Sequence, residues 1–135
     1  MTPRYMLDTD VVSYIAKGHP PEFRRQMRAL PASQVGVSAI TQAEVLYGLL
    51  RLPDDHPLQA VTRQFLDSVI IPDWPISGAI HYARVKHYLV STGQTIGEMD
   101  LLIASHSLAI GAMLVTGNTR HHSRVPGLEI IDWRE

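Results

Sequence analysis

An α/β fold, with a short parallel β-sheet flanked by helices on both faces, is what this sequence predicts. Three observations lead there. Short apolar runs of strand length recur along the chain, stretches with helical spacing separate them, and Gly, Pro, Asn and Asp punctuate the changes from one to the other. Strands joined through helices pair in parallel, because a parallel neighbour is reached only by a long crossover that covers one face of the sheet.

The first strand is Tyr5-Met6-Leu7, which stops at Asp8-Thr9-Asp10 and feeds a helix whose apolar positions are Val11, Val12, Tyr14 and Ile15. Gly18-His19-Pro20-Pro21 ends that helix, and a second, basic helix follows from Glu22 to Leu30 before Pro31. Gln34 to Ser38 reads as a strand. Ile40, Ala43, Tyr47 and Leu50 then recur on one face of a helix, with Glu44 beside that face. Pro53 to Pro57 is a loop, Leu58 to Asp67 a helix, and Val69-Ile70-Ile71 a strand ended by Pro72. A longer helix, Ser77 to Ser91, closes at Thr92-Gly93. The next starts near Glu98 to Asp100 and runs to Ile110, where Gly111 stops it; Ala112 to Val115 is a strand ending at Thr116-Gly117-Asn118, and Leu128 to Ile131 is the last. Trp133 is expected to pack rather than to stack on a base.

All 135 residues fit one domain, since a chain of this length buries roughly two thirds of its unfolded surface without covalent staples. With 45% hydrophobic and 19% charged residues it is an ordinary globular composition. The absence of cysteine excludes disulfides, thiolate zinc sites and cysteine nucleophiles. No apolar stretch is long enough for a membrane span and no leader pattern precedes Asp8, so a soluble, cytoplasmic protein with no membrane partner is expected. A formal net charge of −1 excludes nucleic-acid binding by bulk electrostatics and leaves only local contacts.

In open α/β sheets ligands gather at the carboxyl ends of the strands. Asp8 follows the first strand, Thr116 and Asn118 follow a late one, and Glu44 and Asp100 stand early in helices that can reach the same edge. Helix capping accounts for Asp8, Asp10 or Asp100 taken singly, whereas Glu44, beside an apolar face, needs a partner as it loses water. Oxygen ligands without cysteine, and without an H-E-x-x-H pattern, suit a hard ion such as Mg2+ or Mn2+, which binds phosphodiesters and acidifies water.

The stretches MLDTDVVSYI, SAITQAEVLYG, IGEMDLLIASHSL and LVTGNTR, with VPGLEIIDW at the end, resemble the successive motifs of VapC-like PIN-domain ribonucleases, the toxins of bacterial toxin-antitoxin pairs, in order and over nearly the full length. The resemblance implies a PIN-domain fold, with Asp8, Glu44 and Asp100 as catalytic, metal-binding carboxylates and Thr116 and Asn118 as the polar pair after the late strand. It further implies a Mg2+- or Mn2+-dependent endoribonuclease, an RNA substrate, a homodimer, and a VapB-like antitoxin whose tail enters the active-site groove.

The chain departs from the family pattern at His121, where many relatives carry an acidic residue. His121 is read as a supporting residue or a solvated loop histidine, and Glu98 as a compensating carboxylate or a charge favouring a helix N-terminus. Asp10 supports the site or, the preferred role, caps the first helix. Arg120 and Arg124 are candidates for RNA phosphates, whereas Arg24, Arg25 and Arg28 read as a solvated helix face. The alternative function is a PIN-fold module that binds RNA or protein without cleaving. A nucleotide-binding fold is discounted, since neither G-x-G-x-x-G nor a P-loop follows the first strand.

Overall fold

The computed structural model describes residues 2–135. Its sheet has four parallel strands, β1 (Tyr5–Leu7), β2 (Val35–Val37), β3 (Met113–Val115) and β4 (Ile130–Ile131), in the order β2-β1-β3-β4. Among the described residues the helices are α1 (Thr9–Lys17), α2 (Pro21–Ala29), α3 (Ala39–Leu50), α4 (Pro57–Ser68), α5 (Ile76–Ser91), α6 (Glu98–Ile110) and α7 (Thr119–His122), with a 3-10 turn at Ala32–Gln34. This is the predicted α/β fold.

Side chains alternate across a strand, and this alternation divides the core. Leu7 and Val115 pack with Val11, Val12, Phe23 and Leu66 on one face, while Met6 and Leu114 pack with Ile103 and Ala112 of the α6 side on the other. Both faces are therefore covered, as an all-parallel sheet requires. A third cluster, built on Val85, Leu89, Leu101, Ala104 and Val125, joins α5 to α6.

Glycine ends α1 and α6: Gly18 and Gly111 adopt φ of 74° and 68°, left-handed values that L side chains resist. At the end of α1 the guanidinium of Arg24 also donates to the carbonyls of Ile15 and Ala16. Arg24 is thus not a solvated helix residue but a cap for carbonyls that α1 leaves without partners.

Three local expectations need correction. Val69 to Ile71 makes only an isolated parallel bridge, Ile70 with Gly36, because Pro72 follows immediately and leaves no room to extend the ladder. Asp8, not Asp10, caps α1: its backbone is extended and its carboxylate accepts from the Val11 amide, while Asp10 lies exposed in the first turn. The segment after Asn118 is a short helix rather than a loop, started by the Asn118 side chain accepting from the His121 amide.

Candidate active site

The site is assembled by strand register. Leu7 stands opposite Val37 on one side and Val115 on the other. The next residues, Ser38, Asp8 and Thr116, therefore emerge side by side at the carboxyl edge of the sheet, where the Asp8 amide donates to the Val115 carbonyl at 3.0 Å.

Asp8 is 4% exposed. Burial pushes its pKa up to about 6, against the lowering effects of the Thr116 hydroxyl, the Val11 amide and the His122 ring beside it, and with a small upward push from Asp10. Its charged form is thus under-compensated by the protein alone. Thr116 is fully buried, and its hydroxyl oxygen accepts from the Asn118 amide at 2.9 Å. The amide group of Asn118 lies 2.8 Å from His121 Nδ1, so Nδ2 donates and His121 Nδ1 accepts.

His122, rather than His121, is the buried ring of this pair, with 1% of its surface exposed. Its Nδ1 donates to the Asn118 carbonyl at 3.1 Å and lies 3.3 Å from the Thr116 hydroxyl. Its Nε2 has no hydrogen-bond partner. Sequence reasoning missed it, because two adjacent histidines carry no periodicity that says which one turns inward.

Glu44 reaches the same edge through a residue also missed. Thr9, the first residue of α1, donates its hydroxyl to Glu44 Oε1 at 2.6 Å. The expected desolvation of Glu44 points to a donor nearby, but the apolar face beside it is largely exposed at Tyr47 and Leu50, and Glu44 itself is only half-buried. Asp100 is half-buried and third in α6, where its charge also favours the helix N-terminus. Among the described residues no three His, Asp or Glu side chains are close enough together to grip a metal ion by themselves.

The remaining predicted residues divide. Asp10 joins Thr9 and Glu44 in lining a groove of about 460 Å³ that runs along α1 to Lys17, with Val45 and Leu49 of α3 on its wall. Glu98 commits its carboxylate to Lys86, at 2.7 Å, and to the Tyr82 hydroxyl, both on α5 and at the surface. Arg120 is exposed, whereas Arg124 donates to the Thr95 carbonyl at 3.0 Å and is partly committed to the loop before α6.

The C-terminal segment braces the edge. Arg134 pairs with the buried Asp132 at 2.6 Å and donates to the Gly117 carbonyl at 3.1 Å, holding the turn between Thr116 and Asn118. That guanidinium keeps the Asp132 carboxyl below the usual carboxylate range.

Against known proteins, the PIN domain family model matches residues 5–128. The chain is 35% identical over 130 residues to Ribonuclease VapC2 of Haemophilus influenzae, covering 96% of this chain and 98% of that one. It is 31% identical, with the same coverage, to the tRNA(fMet)-specific endonuclease VapC of Salmonella typhimurium. The crystal structure of VapBC2 from Rickettsia felis, bound to a DNA fragment from its promoter, superposes with a TM-score of 0.87 at 32% identity over 96% of this chain and 98% of that one.

Proposed function

The chain belongs to the PIN-domain family and, within it, to the VapC ribonucleases, and we propose that it is an endoribonuclease toxin that uses Mg2+ or Mn2+ and is neutralised by a VapB-like antitoxin. The observation that carries this reading is the strand register, which sets Asp8 beside Thr116 while Thr9, one residue on, holds Glu44.

Asp8, Glu44 and Asp100 are the residues to hold the ion. Two features fit it: the donors are all oxygen, and Asp8 is a buried carboxylate in need of positive charge. Mg2+ keeps several of its waters and is commonly bound by one or two carboxylates, so a closed cage is not required. When bound, the ion supplies charge that stabilises the phosphodiester in its transition state and lowers the pKa of an attacking water.

The chain's own residues position these groups. The Thr116 hydroxyl and the Val11 amide orient the Asp8 carboxylate, and Thr9 orients that of Glu44. Asn118 aligns His121 above the edge, and exposed Arg120 with Arg124 offers positive charge to the RNA phosphates. Glu98 acts at a distance, tying the start of α6 to α5 through Lys86 and Tyr82.

For the antitoxin tail, the groove along α1 offers apolar walls from α3 and α4 and ends on Thr9, Asp10 and Glu44, so an occupant would cover the catalytic edge. A homodimer would use Ile76 and Ile80, 91% and 54% exposed and one helical turn apart on α5. An RNA substrate and an antitoxin partner support a cytoplasmic protein.

The test is incubation of the purified chain with total RNA and with tRNA(fMet), the target in the Salmonella relative's name, with Mg2+ or Mn2+ beside EDTA and Asp8→Ala controls. Cleavage at one or a few sites, with a 5′-phosphate on the downstream product and loss in both controls, is expected. Cleavage surviving both controls sinks the metal-site reading. RNA retained without cleavage would select the binding module.

A further inference from the structure

The helices that carry Glu44 and Asp100, α3 and α6, are in contact, and a buried polar pair lies between them. Ile40 of α3 packs on the cluster of Met6, Ile103, Ala112 and Leu114. Beside this cluster Ser38, the N-cap residue of α3, meets His106 of α6, and neither exposes any surface. His106 Nδ1 lies 2.8 Å from Ser38 Oγ.

Burial lowers the His106 pKa, against a smaller raising effect of the Asp73 main chain, so the ring is neutral and carries one N–H. A hydroxyl both donates and accepts, so Ser38 pairs with Nδ1 in either tautomer. Ser38 Oγ already accepts from the Ile40 amide at 3.2 Å, so its own hydrogen is free to go to Nδ1. Nε2 makes no complete hydrogen bond. The favourable polar contact of this ring is therefore the one to Ser38.

Trp74 fixes the ring from another side. Its Nε1 donates to the Leu102 carbonyl of α6 at 3.2 Å, and its rings stand edge-on to His106, with centroids 6.4 Å apart. Gly78 makes the room: a Cβ there would lie 2.8 Å from Trp74 Cη2. The imidazole has little freedom to turn away from Ser38.

We propose that the Ser38–His106 hydrogen bond is a positioning device for the ion's ligands, setting the register of α3 against α6 and with it the separation of Glu44 from Asp100. The inference rests on the reading of Asp8, Glu44 and Asp100 as those ligands. Glu44 follows Ser38 by six residues and Asp100 precedes His106 by six, so each carboxylate stands about 9 Å along its helix from the contact. His106 touches neither carboxylate; it acts through the two helices. An apolar interface alone tolerates sliding, because dispersion and burial are non-directional, whereas a buried hydrogen bond is satisfied in one register only.

The experiment measures Mn2+ affinity, by the electron paramagnetic resonance signal of free Mn2+, and melting temperature on the full chain. The variants are Asp8→Asn, Ser38→Ala, His106→Leu, His106→Asn and the double variant Ser38→Ala/His106→Leu. His106→Leu and Ser38→Ala should each weaken Mn2+ binding about tenfold or more, in the range expected for groups that orient metal ligands. The double variant should be no worse than the weaker single, and His106→Asn, whose amide reaches the Nδ1 position, should stay within about threefold of the parent. A folded His106→Leu that binds Mn2+ as the parent does would overturn the proposal. If His106→Leu does not fold, His106→Asn and His106→Gln decide, and equal affinity in those two overturns it as well. Mn2+ binding that Asp8→Asn leaves unchanged would instead overturn the metal-site reading, and this inference with it.

Discussion

The two halves of the candidate site are built differently. Asp8, Thr116 and His122 come from strand ends and the short helix after β3; they are buried and hydrogen-bonded into a rigid edge. Glu44 and Asp100 come from helices, α3 and α6; both are half-buried, and the contact holding Glu44 is a single hydroxyl. The sheet half places one charge where the protein compensates it poorly, and the helical half supplies carboxylates that keep part of their surface in water. On the proposed function, that division would suit a divalent ion, since the sheet half would fix its place and the helical half would leave room for waters and phosphate.

The sharpest way to break the contrast is Asp8→Asn, which keeps a capping side chain for α1 but removes the charge. Cleavage should fall on the order of a thousandfold, as when a preorganised transition-state contact is lost. The metal-free protein should become more stable at neutral pH, by up to about 3 kcal/mol from a pKa raised to about 6, read as a higher melting temperature. A less stable Asp8→Asn protein would show that Asp8 is compensated after all.

The pH dependence sharpens the same point. A carboxylate whose folded pKa is raised is favoured when protonated, so its contribution to stability is greatest below its unfolded pKa of about 4 and is lost as pH rises through about 6. Denaturant titrations of the metal-free parent and of Asp8→Asn should therefore differ at pH 8 and converge near pH 4. Mn2+ affinity of the parent should fall as pH drops below about 6, where protons compete for Asp8.

On the helical side, Thr9→Val keeps the shape of the residue and deletes the donor to Glu44. A loss of about tenfold in Mn2+ affinity or cleavage is expected, with stability changed by no more than about 1 kcal/mol. An unchanged Mn2+ affinity would mean that Glu44 finds its place without Thr9. The smallest effect belongs to Glu98→Gln: the exposed contact with Lys86 should yield no measurable change in melting temperature, and cleavage should remain within about twofold.

Much of this architecture is legible in sequence because it is local. Tyr5-Met6-Leu7 before Asp8-Thr9-Asp10 shows a strand stopping at an acidic helix start, and Gly111 between Ile110 and Ala112 shows a helix stopping before a strand. The motifs around Asp8, Glu44, Asp100 and Thr116 likewise carry their own residue identities, and the family follows from their order.

What could not be read are choices made between distant segments. Asp8 rather than Asp10 became the cap because β1 ends in register with β3 and turns that carboxylate inward. His122 rather than His121 was buried because α7 packs back toward the sheet edge, and Arg24 left solvent because the end of α1 lay within reach. Thr9 to Glu44 and Ser38 to His106 span 35 and 68 residues, distances over which no periodicity operates. Sequence by itself determined the four strands of the sheet, the longer helices and the acidic residues on offer, since these depend on spacing and turn chemistry within a few residues. Tertiary structure alone decided which polar groups meet, because a buried donor or acceptor is satisfied by whatever partner the packed fold brings beside it.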